Sequence, residues 1–533
     1  MKGSDLLVRC LENEGVQYIF GVPGEETLDI VESLRTSDLT FIVTRHEQGA
    51  AFMANAYGRL TGKAGVCLST LGPGATNLIT GIADANLDRA PLVAITGQAA
   101  LDRIHKESHQ YIAIVEIFER LTKWNTRIEK PEVIPEVVRK AFKVAQTEKP
   151  GATHIELPED IAQMEVHSSH APLSTKRARR SSPDRESLYE AARFITEAQH
   201  PLILAGNGVV RKGASEELIR FVRELNIPVV STFMGKGSFP ENDVHFLGTM
   251  GWRPGDLHLS GLQQADVCIA VGYDLAEYAP MVWNPNMDKK VIHIDFTPSE
   301  VDEYYSPAVE IVADIRESLE LLRGILEQGR SYRYFAPEGS SLYDVLDRFS
   351  EDMDSPMKPQ KIIGDLRRVL GEEDILISDV GAHKIWIARL YPALRPNTVL
   401  ISNGFSAMGF ALPTSITAKL LYPERKVLAV CGDGGFLMSA QELETAIRLC
   451  TPIVVLILVD SGYGLIRWKQ KDVFGCSFGV EFGNPEFGPY ARSFGAVGFQ
   501  IKRGEDLIPA LTEAFSLDVP SVISVPVDYE APF

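Results

Sequence analysis

Short apolar runs recur along the whole chain, separated by longer amphipathic stretches. In the first third they include Thr40–Thr44, Gly65–Ser69 and Leu92–Thr96. Such runs have the length of strands, and their unbroken apolar character predicts strands buried on both faces. That is the pattern of parallel sheets covered by helices. The stretches between, such as Gly49–Leu60, have the period of crossover helices. From His167 to Arg185 the text turns to Ser, Pro, Lys and Arg without apolar periodicity, which predicts a linker. A second block carries the runs Pro201–Gly206, Ile227–Ser231, Val267–Val271 and Val291–Asp295, and closes in a helical pattern over Arg316–Gln328. After a polar stretch around Ser331–Pro359, a third block holds Ile375–Ser378, Lys426–Val430, Ile453–Leu458 and Val522–Pro526. The prediction is an α/β protein of three doubly wound parallel-sheet domains, over residues 1–166, 186–330 and 357–533.

Length agrees, since 533 residues exceed what one ordinary core holds. Hydrophobic residues at 45% and charged residues at 23% are the balance of a soluble globular protein. The first thirty residues carry Asp5, Glu12 and Glu14 where a secretory signal would be apolar, and no run is long enough to span a membrane. The six cysteines form no CxxC pair, and several sit inside apolar runs. Buried, reduced thiols and a cytoplasmic location are the expectation. A net charge of -18 argues against nucleic acid or a membrane surface as partner, but not against a small anion held by local geometry.

Candidate chemistry concentrates in the third block. An apolar strand ends at Gly432-Asp433-Gly434-Gly435, and a helical pattern begins after Ser439, with Ser439 and Glu442 at capping-box spacing. Glycines let a ligand approach the backbone, and free amides at a helix start favour an anion such as phosphate. The next apolar run delivers Asp460-Ser461-Gly462 to the same predicted sheet edge. Two carboxylates there suit a hard cation such as Mg2+ bridging to a diphosphate. A Gly-Asp-Gly-Gly turn alone can be no more than a tight turn. Other signatures are missing: there is no GxxxxGK[ST], HExxH or GxSxG, and Gly206-Asn-Gly208-Val-Val-Arg211 lacks the third glycine of a dinucleotide fingerprint.

Gly432-Asp433-Gly434 followed by Asp460-Ser461-Gly462 resembles the GDG…NN motif of thiamine-diphosphate-dependent enzymes. The resemblance implies that Asp433, Asp460 and the carbonyl of Gly462 hold Mg2+. Val459 departs from the motif's first Asn. Further motifs stand in the order of that family's pyrimidine-binding domain: Phe20-Gly-Val-Pro23-Gly24-Glu25, Arg45-His46-Glu47, Ala56-Tyr-Gly-Arg59 and Gly72-Pro-Gly-Ala-Thr-Asn77. Alone, Glu47 reads as a helix-start carboxylate. By resemblance it bonds the aminopyrimidine and switches on the cofactor, with Pro23, Gly24 and Asn77 beside it. In the third block the resemblance assigns His383, Ser406, Met408, Gly432, Gly434, Gly435, Tyr463, Gly464, Leu465 and Ile466 to the cofactor pocket. Read without it, Met408 is a core residue. Domains one, two and three become pyrimidine-binding, middle and diphosphate-binding, and a homodimer or homotetramer is implied.

Within that family the chain is similar to catabolic-type acetolactate synthases. His109-Gln110 fits them, with Gln110 facing the reacting carbon, as does Gly272-Tyr-Asp274 through Glu277-Tyr278 to Trp283-Asn284. This implies decarboxylation of pyruvate and ligation to a second pyruvate, giving 2-acetolactate and CO2, without bound FAD. Leu465 stands where many such enzymes have Met. Lys469, near Arg467, reads either as a solvated helix charge or as an attraction for a second anionic group. A related 2-oxo-acid decarboxylase or acyl-CoA lyase is the alternative.

Overall fold

The computed structural model describes residues 1–167, 169–176, 180–251, 261–326 and 342–529. Residues 331–341 of the polar stretch expected around Ser331–Pro359, the last positions of the Arg316–Gln328 helix and part of the His167–Arg185 linker lie outside the described residues, and the rest of the polar stretch carries a helix, Leu342–Arg348. The strands form three sheets, each six-stranded and parallel throughout.

The first sheet takes β1 (Tyr18–Gly21), β2 (Thr40–Val43), β3 (Gly65–Ser69), β4 (Leu92–Gln98), β5 (Trp124–Arg127) and β6 (Ala152–Pro158), in the order β2-β1-β3-β4-β6-β5. The second takes β7 (Pro201–Ala205), β8 (Val229–Ser231), β9 (Phe246–Thr249), β10 (Val267–Val271), β11 (Lys290–Asp295) and β12 (Pro307–Val312), in the order β12-β11-β10-β7-β8-β9. The third takes β13 (Ile375–Ser378), β14 (Val399–Ile401), β15 (Val427–Gly432), β16 (Val454–Val459), β17 (Val497–Gln500) and β18 (Ser521–Pro526), in the order β14-β13-β15-β16-β18-β17. Renumbered within each sheet, the first and third share the order 2-1-3-4-6-5, while the second has the dinucleotide-fold order 3-2-1-4-5-6.

Every residue of β3, β4, β7 and β10 is buried, as expected of strands covered on both faces. Strand β6 is equally buried, yet its text alternates apolar residues with Thr153, His154 and Glu156. Partners come from inside the protein: His154 Nε2 bonds Thr96, leaving Nδ1 without a partner, and Glu156 accepts from Gln98 and Arg127. The edge strands β5 and β17 are half-buried and carry little apolar signal.

By compactness the chain falls into two units. One contains the first sheet together with residues 404–423 and 436–451; the other contains the second and third sheets. In the first unit the helix Glu47–Thr61 packs on Pro73–Leu87 and on Ala411–Leu421. Gly81 permits the first contact, since a Cβ there would come within 2.4 Å of the Ala51 methyl. Phe52 and Phe410 meet edge to face at 5.6 Å in the second. In the other unit the second and third sheets are joined at Glu241, whose carboxylate accepts from the Ala393 amide at 3.0 Å and pairs with Lys236 at 2.7 Å. Both side chains of that pair are fully buried.

Two sequence expectations need correction. The helix at the GDGG turn begins at Asp433 itself and runs to Ser439; a second begins at Glu442. Glu442 does not close a capping box with Ser439, because its carboxylate is taken by backbone amides elsewhere. Of the six free cysteines, Cys10, Cys67, Cys268 and Cys431 are buried as expected, but Cys450 and Cys476 are exposed. Among the described residues no helix is long and apolar enough to cross a membrane.

Candidate active site

In doubly wound sheets, ligands bind beyond the carboxyl ends of the strands where the strand order reverses. For the first sheet that point lies between β1 and β3. The loop after β1 carries Pro23 and Gly24; a Cβ on Gly24 would strike Thr70, just after β3, at 2.4 Å. Thr70 donates to the buried Glu26 at 2.6 Å. Glu47 is the first residue of its helix, following β2 through His46, whose ring accepts the Gln48 amide. Asn77, on the helix after β3, donates to Glu47 Oε2 at 3.0 Å. Gly74 on the same helix lies against the other Glu47 oxygen, 3.4 Å from where its Cβ would be. Gln110 has a left-handed backbone, φ 57°, and is exposed. Its carbonyl backs onto Gly72, where a Cβ would come within 2.6 Å. Pro23, Gly24, Glu47, Asn77 and Gln110, named from sequence, are thus gathered around one switch point. Thr70 and Glu26 were missed, because a lone Thr and a lone Glu carry no signal. Ser406, with φ 57°, and the half-buried Met408 belong to this same unit, in the segment leading to Phe410.

The third sheet reverses between β13 and β15, and its site is built from the loops after β13, β15 and β16. Asp433 is 1% exposed. One of its oxygens accepts the Gly434 amide at 2.9 Å; the other accepts the Ser461 amide and Asn484 Nδ2, both at 2.8 Å. Burial, and next the nearby charge of Asp433, push the Asp460 carboxyl up to about 6, against the pull of Arg467. Arg467 reaches Asp460 Oδ2 at 3.2 Å. A carboxyl raised by burial and by a neighbouring carboxylate is an arrangement that a divalent cation relieves. Gly462 is buried and bridges to Glu481, and a side chain there would strike Arg467.

Around these acids the glycines leave room. A Cβ on Gly432 would lie 3.3 Å from His383, on Gly434 3.2 Å from Tyr463, and on Gly435 3.2 Å from Asp379; one on Gly464 would lie 2.6 Å from Asp460. Burial lowers His383 to about 4, so its ring is neutral near pH 7. Its Nε2 is buried without a hydrogen-bond partner, as is Asn484 Oδ1. With its proton on Nε2, the His383 ring can donate to an anionic ligand beside the glycine turn, while the Asn484 oxygen suits a donor or a cation. Leu465 and Ile466 open the helix Gly464–Phe474, none of whose residues is buried; Ile466 is 47% exposed. Asn484, Phe482 (ring centroid 5.0 Å from that of Tyr463) and Tyr529 also face this site and were not found from sequence. They lie far from the motif in the chain and follow no spacing rule.

The second sheet reverses between β7 and β10, where a dinucleotide would sit in this strand order. Gly206, Gly208 and Gly272 bring the two loops into contact: a Cβ on Gly208 would lie 2.5 Å from Gly272 Cα. The first helical amide, Asn207 N–H, donates to the Glu277 carboxylate at 3.0 Å, and Thr232 donates to it as well. Burial pushes Glu277 up to about 8.

Three family models match the chain. Residues 1–117 match the N-terminal TPP binding domain of thiamine pyrophosphate enzymes, residues 188–322 the central domain, and residues 379–525 the C-terminal TPP binding domain. Among curated relatives, an acetolactate synthase of Bacillus subtilis is 35% identical over 99% of this chain and 93% of its own length. A catabolic acetolactate synthase of Raoultella terrigena is 36% identical over 99% and 95%, and a probable acetolactate synthase large subunit of Methanocaldococcus jannaschii 36% identical over 99% and 92%. With all three domains matched in order and end-to-end similarity to these relatives, the chain belongs to the thiamine pyrophosphate enzyme family.

Proposed function

We propose that this protein is an acetolactate synthase, which decarboxylates pyruvate and joins the remaining two-carbon unit to a second pyruvate, releasing 2-acetolactate and CO2. The observation that carries this reading is 35–36% identity over essentially the full length of acetolactate synthases, the catabolic one included. The domains are residues 1–166 (pyrimidine-binding), 186–330 (middle) and 357–533 (diphosphate-binding).

The residues fit the cofactor's two ends. The glycine turn, the orphaned His383 Nε2 and the Asp433/Asp460 pair suit a diphosphate and Mg2+, and the Glu47–Asn77 pair suits an aminopyrimidine. Bound thiamine diphosphate supplies the nucleophilic carbon and the electron sink that a 2-oxo acid needs to lose CO2. Asp433, Asp460 and the Gly462 carbonyl would hold Mg2+, and Gly432, Gly434, Gly435, Tyr463 and His383 the diphosphate. Glu47, fixed by the Asn77 amide, would hold and return a proton for the cofactor's aminopyrimidine. Gln110 orients the substrate from its left-handed turn. Pro23, Gly24, Ser406 and Met408 would line the pyrimidine-binding surface of one unit, and Gly464, Leu465 and Ile466 the diphosphate-binding surface of the other, each limiting water on its own side.

FAD is not a cofactor of this chain on the present reading. Glu277 takes the helix-start amide that a dinucleotide phosphate would need. The working assembly is a homodimer or homotetramer in the cytoplasm, which light scattering on purified protein checks.

The test is product identification. With pyruvate, thiamine diphosphate and Mg2+, the protein is expected to form acetolactate, read as acetoin after acidification. Acetaldehyde as the only product would replace the synthase with a simple decarboxylase. Glu47→Gln is expected to lower kcat by about 100-fold or more; undiminished turnover would remove Glu47 from the mechanism.

A further inference from the structure

Glu442 is wholly buried at the start of the helix Glu442–Arg448, and its carboxylate does not serve its own helix. Oε1 accepts the backbone amides of Arg45 at 3.0 Å and His46 at 3.1 Å; Oε2 accepts the Thr445 hydroxyl at 2.6 Å. At the far end of the same helix Arg448 donates to the carbonyl of Val43. The connection from β2 to Glu47 is therefore gripped on both sides, its carbonyl by Arg448 and its amides by Glu442. Gly49 leaves room for this: a Cβ there would lie 2.6 Å from Glu442 Oε1. Thr44 donates to the His46 carbonyl at 3.1 Å, so little slack remains before Glu47.

Isolated buried carboxylates are costly, and burial pushes this one up to about 7. A carboxyl group kept inside the protein and satisfied by two amides and a hydroxyl has a geometric task. We propose that Glu442 is a positioning residue for the reaction: it sets the backbone from which Glu47 projects, and so the placement of the Glu47 carboxylate against Asn77 and the cofactor ring. This rests on the role of Glu47 proposed above. Misplacing a reacting group by about 1 Å costs on the order of 100-fold in rate. The effect belongs in kcat, because Glu442 touches no substrate-binding residue named here.

Three variants test it. Glu442→Ala is expected to lower kcat between about 10- and 100-fold with KM for pyruvate changed less than about twofold. Glu442→Gln keeps an oxygen for both amides and is expected to recover most of the loss. Gly49→Ala improves helix propensity but displaces the carboxylate, so it is expected to reduce kcat without lowering Tm. Hydrogen exchange on the cofactor-free protein reads the grip directly: the Arg45 and His46 amides should exchange at least about tenfold faster in Glu442→Ala than in Glu442→Gln. Unchanged exchange in Glu442→Ala, or kcat within twofold of the parent in both Glu442→Ala and Gly49→Ala, overturns the proposal. Should Glu442→Ala fail to fold, Gly49→Ala and Glu442→Gln decide by the same readings. Full turnover in Glu47→Gln would instead sink the role of Glu47, while the exchange experiment would still report on the grip.

Discussion

Individual side chains at the two switch points differ in how they are held. Asp433 is fixed by the Ser461 amide and by Asn484 Nδ2, and the Asn484 amide oxygen is left without a partner beside it. Groups that orient a metal-binding carboxylate commonly contribute about 10- to 100-fold in metal affinity. Asn484→Ala is accordingly expected to raise the Mg2+ dissociation constant by about that factor, measured by calorimetry with thiamine diphosphate present, and to leave Tm of the metal-free protein nearly unchanged. An unaltered affinity would make Asn484 a packing residue. Arg467 is the counterweight at Asp460. Without it the half-buried Asp460 would face the charge of Asp433 uncompensated.

At the scale of elements, close approaches between loops are set by residues without side chains. Gly272 has φ 59° after β10, and a Cβ on it would lie 2.6 Å from the Val209 amide nitrogen. Gly272→Ala therefore combines a left-handed backbone with a backbone clash. It is expected to cost about 2 kcal/mol or more, read as a fall in the urea midpoint. The same junction supplies a pH effect. Burial raises Glu277 from its ordinary 4.5 to about 8, so the fold favours its neutral form. That contribution is complete below 4.5 and is lost as pH climbs through 8. Glu277→Gln keeps an acceptor for the Asn207 amide and cannot ionise. Its Tm relative to the parent is expected to rise steadily from pH 5 to about 8 and then level off; a constant difference across that range would show that Glu277 does not titrate there.

At the scale of the whole molecule, the second and third sheets are tied through a buried ion pair. Glu241 holds the Ala393 amide while paired with Lys236, both wholly enclosed. Burial drives Lys236 down and Glu241 up, and each charge pulls its partner back toward the ionised form. Removing one partner from such a pair costs about 3–5 kcal/mol, whereas removing both charges can be nearly neutral. Lys236→Met is therefore expected to lower stability strongly. Lys236→Met with Glu241→Gln, which preserves an acceptor for Ala393, should recover most of the loss in the same denaturant titration. Equal losses in the single and double variants would place the stabilisation in packing rather than charge.

Continuous apolar runs fixed the alternation of strand and helix, because a strand covered on both faces must be apolar along its length. Glycine–acid turns at strand ends likewise marked Asp433 and Asp460 before any coordinates, since local backbone chemistry is written locally. Strand β6 escaped, because Glu156 and His154 are tolerable inside only once Arg127, Gln98 and Thr96 arrive from other strands. Glu442 was read as a helix cap from its spacing to Ser439, yet its carboxylate serves amides nearly four hundred positions earlier, at Arg45 and His46. Asn484 and Tyr529 joined the loops of Asp433 and Asp460 in the same way. Spacing rules see only neighbours along the chain. Which distant polar group satisfies a buried donor is settled when the sheets and helices pack, and so only the tertiary structure could decide it.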